Sequence, residues 1–171
     1  MPKVKVIDFK KIGSTNDYLK ENHQKLDSFT FIKTKYQLEG RGQFDRKWVS
    51  FKGRNLLFSF IIKNLLYSQI NLIKDWVKNS IIELLENLGL KPYFKEPNDI
   101  YVNNKKICGI LIETKSDEKM FKYVIIGIGL NVNQIIFPSL NATSILKETK
   151  KSNKIKKIFN DLLNILLENY F

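Results

Sequence analysis

Apolar and polar positions follow two rhythms along this chain. Residues 29–36 alternate as a half-buried strand does, residues 4–9 (VKVIDF) read as a short strand before them, and residues 56–62 (LLFSFII) form an apolar strand. From Ser68 to Gly89 the period becomes helical. Ile70, Ile73, Val77, Ile81, Leu84, Leu85 and Leu88 fall on one face, Ser68 is a candidate cap and Gly89 a stop. Ser14 or Thr15 can cap an earlier helix that runs to Asn22. Residues 123–132 are a further apolar strand. Residues 155–170 close the chain as an amphipathic helix with Ile158, Phe159, Leu162, Leu166 and Tyr170 inward.

Between the long helix and the last strand lies KEPNDIYVNNKKICGILIE, residues 95–113. Residues 100–102 and 107–112 are apolar runs around Asn103-Asn104, a pair that tolerates positive φ, so the segment reads as a hairpin that brings Asp99 near Lys106. Pro97 biases Glu96 to an extended backbone and starts the strand, which puts Asn98 and Asp99 where the chain enters the sheet. Lys95, Asn98, Asp99 and Lys106 thus rim an otherwise apolar hairpin. By themselves they suit a charged surface as well as a reaction site. Strands outnumber βαβ alternations, which predicts an α+β fold with a mixed, largely antiparallel sheet flanked by helices. No repeat or linker divides residues 1–171, and one domain is expected.

Composition narrows the function classes. A chain of 171 residues that is 43% hydrophobic, with 12 Phe, has the material for a self-standing core. No segment reaches the roughly 18 to 20 apolar residues of a membrane span and no leader pattern is visible, so a soluble, cytoplasmic protein without membrane contact is expected. Cys108 is the single cysteine, which excludes an internal disulfide and a Cys-rich metal site. His23 is the single histidine and falls on the first helix, expected at the surface, so neither a Ser-His-Asp triad nor a histidine metal site is supported. No metal-ligating set is assigned. The net charge of +12, from 29 Lys and Arg against 17 Asp and Glu, suits polyanionic partners. A general drift toward Lys, Asn and Ile gives the same total. The lysines are scattered apart from Lys147, Lys150, Lys151, Lys154, Lys156 and Lys157, a solvated helix face first and an anion patch second.

Two further features carry chemistry. The loop over residues 39–52, rich in Gly, Arg and Lys, is long for a compact domain, and such loops are commonly functional. Gly127 and Gly129 alternate with Ile126, Ile128 and Leu130, which clears one strand face so that a flat ligand can lie on backbone, with Asn131 on the same face. No Walker loop and no G-x-G-x-x-G follows a strand, so any nucleotide must be held in another way.

Six ordered motifs then converge: Ser14-Thr15-Asn16, YQLEGRGQFDRKWVS (36–50), Gly53-x-Asn55-Leu56, K-x-P-N-D (95–99), KICGILIE (106–113) and GIGLNVN (127–133). In this order the chain resembles the biotin protein ligases over residues 7–144. The resemblance implies a catalytic domain related to class II aminoacyl-tRNA synthetases. It also implies a two-step reaction: the biotin carboxylate attacks the α-phosphorus of ATP, giving biotinyl-5′-AMP and pyrophosphate. A lysine amine of a biotin carboxyl carrier protein then attacks the anhydride and AMP leaves.

By the same resemblance, Ser14, Thr15, Asn16 and Gln37 contact the ureido ring, Gly127 and Gly129 form the floor, and Arg41, Gly42 and Gln43 belong to a mobile loop over the adenylate, with Arg41 facing the ligand. Lys106, rather than Lys105, matches the lysine that bridges the biotin carboxylate and the α-phosphate. Arg46, and Lys47 beside it, meet the outer phosphates, Trp48 stacks on adenine, and Asn98 and Asn131 hydrogen-bond nucleotide or phosphate. Asp99 positions the carrier amine or accepts its proton. Taken singly, Trp48 reads as core and Arg46 as surface. Mg²⁺ is implied by the triphosphate, held mostly by phosphates and water.

Departures from the pattern are Glu96, where the family has Trp, and Asp45, where it has Gly. No N-terminal DNA-binding domain and no C-terminal SH3-like domain are expected, hence no DNA partner. A homodimer is compatible with the sequence. Two alternatives stay open: a lipoate or octanoate ligase of the same superfold, and a basic nucleic-acid-binding module without catalysis. The first would prefer lipoate to biotin, and the second would bind DNA or RNA with steep salt dependence.

Overall fold

A computed structural model describes residues 2–44 and 46–171. Among these, seven strands form one sheet: β1 (Lys5–Phe9), β2 (Thr30–Thr34), β3 (Leu56–Leu66), β4 (Tyr93–Lys95), β5 (Asp99–Val102), β6 (Lys105–Ser116) and β7 (Met120–Leu130). Their order is β1-β2-β3-β7-β6-β5-β4. Only β1 and β2 pair in parallel, joined across α1 (Thr15–Asn22); the other neighbours are antiparallel. The expected α+β sheet is therefore present.

Strand alternation assigns the two faces. Val124, Ile126, Ile128 and Leu130 of β7, with Phe58 and Phe60 of β3, bury against α2 (Ile70–Asn87) and α4 (Ile155–Glu168). Phe31, Phe58 and Phe60 are each at most 1% exposed, and burying each side chain stabilises the fold by about 1.5–3 kcal/mol. The opposite face carries Ile32, Ile61, Tyr123 and Ile125 under Leu19 of α1. One step further along β7, the residues on that face are Gly127 and Gly129. The layer beneath α1 thus ends where side chains stop, and the sheet is concave there.

Several elements differ from the periodicity. β3 continues to Leu66 because it pairs with β7 along its whole length, to Leu66 opposite Met120. β4 is too short and too exposed to show an apolar period. α2 starts at Ile70 after a 3₁₀ turn over Tyr67–Gln69, with Gln69 and not Ser68 at its cap position. Its buried face also includes Trp76, whose indole N–H donates to the Leu166 carbonyl at 3.0 Å and so satisfies the polar atom inside the core. α3 (Ile145–Thr149), capped by Ser144, was not apparent in the sequence, being barely more than one turn. Tyr170 lies beyond α4 yet packs inward on Phe29 and Trp76, at ring distances of 4.9 and 5.3 Å. His23 sits in a 3₁₀ turn after α1 and packs on Tyr123 at 4.7 Å; burial, then Lys115, Lys63 and Lys122, hold its imidazole below its ordinary value. No helix among the described residues is long and apolar enough to cross a membrane. Asp45 lies outside the described residues.

Candidate active site

The concave end of the α1 face forms a cavity of about 560 Å³, within the range of small-molecule sites. Every residue singled out from the sequence as a ligand contact lines it, from Ser14–Asn16 and Gln37 at one end to Asn98, Asp99 and Lys106 at the other.

One end is polar and tightly connected. Ser14 caps α1 by accepting the Asp17 N–H at 3.3 Å, which sets Thr15 and Asn16 in the first turn above β3 and β7. The Thr15 N–H donates to Gln37 Oε1 at 2.9 Å, and the Thr15 hydroxyl meets Ser59 Oγ at 2.6 Å. Ser59 in turn donates to Asn16 Oδ1 at 2.5 Å, and Asn16 Nδ2 donates to Glu113 Oε2 at 2.8 Å. Ser59 has one proton, so its bond to Asn16 obliges Thr15 to donate to it. The chain of donors then runs one way, from Thr15 to Glu113. Gln37 Nε2 stays uncommitted.

Glu113 collects the charges of this end. Its oxygens also accept from Lys20 at 2.8 Å and from Arg41 at 2.9 Å, while Arg41 is shared with Asp17 at 2.5 Å. Burial pushes the Glu113 carboxyl up, but hydrogen bonds from Arg41, Lys20 and Asn16 outweigh it and hold the group down at about 2, from an ordinary 4.5. Stability from this network is present above pH 4.5, where an unfolded Glu113 would already be ionised, and is lost as pH falls through about 2. Denaturant unfolding across that window should show declining stability in the parent, and the Glu113→Gln variant should lack this component.

The opposite end is built on a β-bulge. Asp99 pairs with Gly109 and Ile100 with Cys108, but Tyr101 pairs with Lys106, so β6 carries one extra residue. Ile107 and Cys108 are consecutive and both fully buried. The bulge reverses the alternation and brings Lys106 onto the face of Gly109, where regular pairing would send it into the core. Lys106 Nζ stands 2.7 Å from Asp99 Oδ1, out of line for a directed hydrogen bond, and 5.5 Å from the Trp48 ring. Lys105 is exposed and outside the cavity lining. Burial pushes the Cys108 thiol up and leaves it an inert core group.

Three expected arrangements take a different form. The backbone of Gly127 and Gly129 is not bare: the Asn16 amide lies on Gly127 and the Trp48 indole lies on Gly129, with Gly109 beneath the same ring. These glycines therefore seat the chain's own side chains. Arg41 lines the cavity, but its guanidinium is committed to Asp17 and Glu113 rather than turned to a ligand, because two carboxylates lie within reach. Asn98 spends its amide N–H₂ on the Ile110 carbonyl at 2.8 Å. Gly42 and Gln43 line the cavity in a loop folded back on itself, where Gly42 N–H donates to the Arg46 carbonyl and Trp48 N–H to Gly40. Arg46 and Lys47 are exposed at its rim, and Asn131 is buried at the end of β7. Ser59, Asp17, Gly109 and Glu113 were not assigned roles from the sequence. Gly109 and Glu113 both lie in KICGILIE (106–113), so the motif was the signal for them.

Among the described residues, two buried polar atoms of the lining lack a directed hydrogen bond: Trp48 Nε1, which has no partner, and Asp99 Oδ1, whose charge is met by the Lys106 ion pair. An orphan like Trp48 Nε1 is uncommon in a finished core and expected where a ligand completes a site.

Comparison with known proteins agrees with this geometry. The sequence profile of the biotin/lipoate A/B protein ligase family matches residues 9–131. The bifunctional ligase/repressor BirA of Bacillus subtilis is 37% identical over 61% of this chain and 33% of its own length. Biotin–protein ligase 1, chloroplastic, of Arabidopsis thaliana is 33% identical over 72% of this chain and 35% of its own. The chain thus spans about a third of the length of these curated relatives. Among solved structures, the biotin protein ligase from Aquifex aeolicus in complex with biotin and ATP superposes with a TM-score of 0.78 at 30% identity, covering 96% of this chain and 69% of that one. Six motifs in order, one cavity that gathers five of them and a profile spanning most of the sheet lead to one assignment: this chain belongs to the biotin/lipoate A/B protein ligase family.

Proposed function

We propose that the cavity performs biotin–protein ligation, in the cytoplasm. The biotin carboxylate attacks the α-phosphorus of ATP, pyrophosphate leaves, and biotinyl-5′-AMP forms. The ε-amine of a lysine on a biotin carboxyl carrier protein then attacks the acyl carbon; it loses a proton and AMP departs with the bonding pair. The observation that carries this is the placement of Lys106 by the bulge, beside Asp99 and at the opposite end of the cavity from the Thr15–Gln37 polar group. The Aquifex aeolicus neighbour holds both biotin and ATP, which supports the same pair of substrates here.

Physical chemistry favours biotin over lipoate. A ureido ring offers one carbonyl acceptor and two N–H donors. Gln37 Nε2 and the Ser14 hydroxyl proton are free to donate, and Asn16 Oδ1 keeps a second lone pair. A dithiolane would leave these groups unpaired, a cost that strongly disfavours analogues lacking the polar atoms. At the other end Lys106 supplies fixed positive charge where the phosphoryl oxygens gain negative charge. Ammonium has three donors, so Lys106 can touch Asp99 and substrate together. Arg46 at the rim takes the outer phosphates in this reading, Trp48 the adenine, and Asn98 and Asn131 the nucleotide or its phosphate; all four line the cavity, which supports it. Magnesium belongs to the MgATP substrate. That ion is carried mostly by phosphate and water, with few protein ligands.

Pyrophosphate exchange into ATP tests the proposal: it should require biotin and be weak or absent with lipoate. Preference for lipoate, or exchange with neither acid, would overturn it. Asp99→Asn separates the two steps. Transfer to the carrier should fall roughly 10²-fold or more, as expected for loss of a positioned base, with a smaller loss in adenylation. Single-turnover measurement of each step reads the difference.

A further inference from the structure

Glu113 lies on β6 opposite Ile125, one turn of the pleat beyond the cavity lining, and bonds directly to side chains from two parts of the site. One of its oxygens takes the Asn16 amide, which sits at the ureido end. The same carboxylate takes the Arg41 guanidinium, which belongs to the Gly-rich loop. We propose that Glu113 is a positioning residue that couples the two, so that ordering the ureido-binding amide and seating the loop are one event. The proposal rests on the biotin-ligase function above.

Asn16 has an amide that could face either way. Ser59 donates to its oxygen and Glu113 accepts from its nitrogen, and together they leave one orientation. Only an acceptor at 113 preserves that choice. The same acceptor is needed by Arg41, whose second partner, Asp17, follows Asn16 directly in α1. Arg41 therefore ties the loop to the helix turn that bears Asn16 and to the strand that orients it. When Glu113 loses its charge, its bond to the Asn16 amide loses its charge assistance and the loop loses one of two anchors. Lys20, bonded to the other Glu113 oxygen, has no link to the loop and neutralises the remaining charge.

Glu113→Gln keeps the size of the side chain but presents an N–H₂ group to Arg41 and Lys20. It should raise the Kd and KM for biotin roughly tenfold, as for a lost charge-assisted hydrogen bond, with the KM for ATP unchanged. Limited trypsin cleavage after Arg46 or Lys47 should be faster than in the parent, and more biotin should be needed to suppress it. Ser59→Ala provides the contrast. It removes the other bond to Asn16 without touching Arg41, and should weaken biotin while leaving the rate of loop cleavage in the absence of biotin unchanged. If Glu113→Gln binds biotin as the parent does, or if its loop is cleaved at the parent rate, the coupling is wrong. If the parent itself fails to bind biotin in calorimetry, the functional proposal falls and the coupling with it, an outcome that the variant arms cannot produce.

Discussion

Replacing Lys106 with Ala is expected to slow biotinyl-adenylate formation by about 10²–10³-fold, the loss typical when one preorganised charge is removed from a developing anion. The side chain contributes little to the core. It projects from a bulge into the cavity, with a 2.7 Å pair to Asp99 and the Trp48 ring 5.5 Å away. The fold should therefore persist, which near-parent circular dichroism and melting would show. Lys105→Ala is the control: that side chain is exposed and outside the cavity lining, so its rate should match the parent. Arg at position 106 should not restore full activity, because a planar fork does not reproduce a compact ammonium between two acceptors. Stopped-flow release of pyrophosphate at saturating biotin and ATP measures the step. Equal rates for Lys106→Ala and parent would remove Lys106 from the mechanism.

Much of the fold could be read from the sequence because its elements bury one face. The helical period of Ile73, Val77, Ile81 and Leu84 found α2, and Ser14 marked the start of α1. The cavity was legible for a different reason. Its residues sit in short motifs, and each of the motifs that line it enters from one strand, one helix turn or one loop. What could not be read is long-range pairing. The bulge at Ile107 is invisible in KICGILIE, since two successive apolar residues suit a strand that is buried on either face. Arg41 and Glu113 are 72 positions apart, and nothing local says that one will neutralise the other. Gly127 and Gly129 were recognised as spaces without side chains, but what fills such a space depends on α1 and the loop packing above it.

The ion pair of Lys106 with Asp99 also bears on how two reactions share one cavity. In the proposed reaction, the group assigned to the first transition state, Lys106, stands 2.7 Å from Asp99, the group assigned to the amine in the second. On that assignment the acyl carbon need not move between steps, because the adenylate would be made at the place where it is consumed. Closing the loop at residues 40–48 over that point would exclude water, which would otherwise hydrolyse the anhydride.

Gly127→Ala should have the second large effect, at the other end of the cavity. A methyl group on Gly127 would overlap the Asn16 Oδ1 atom, and the backbone of β7 cannot retreat because it is paired on both sides, with Ser59 of β3 and Leu111 of β6. The amide must give way instead. Its displacement breaks the bond from Ser59, leaves Thr15 as the remaining partner of the Ser59 hydroxyl and pulls Asn16 from Glu113. Overpacking of this kind costs about 1–3 kcal/mol, and if it falls on the bound state biotin affinity drops about 5- to 150-fold. Gly129→Ala is the informative comparison. Its methyl would lie 2.5 Å from Trp48 Cε2, so the indole would have to swing, and the defect should fall on the KM for ATP more than on that for biotin. Calorimetric titration of each variant with biotin and with ATP distinguishes them. A Gly127→Ala protein that binds biotin as tightly as the parent would show that Asn16 has no part in holding the ureido ring.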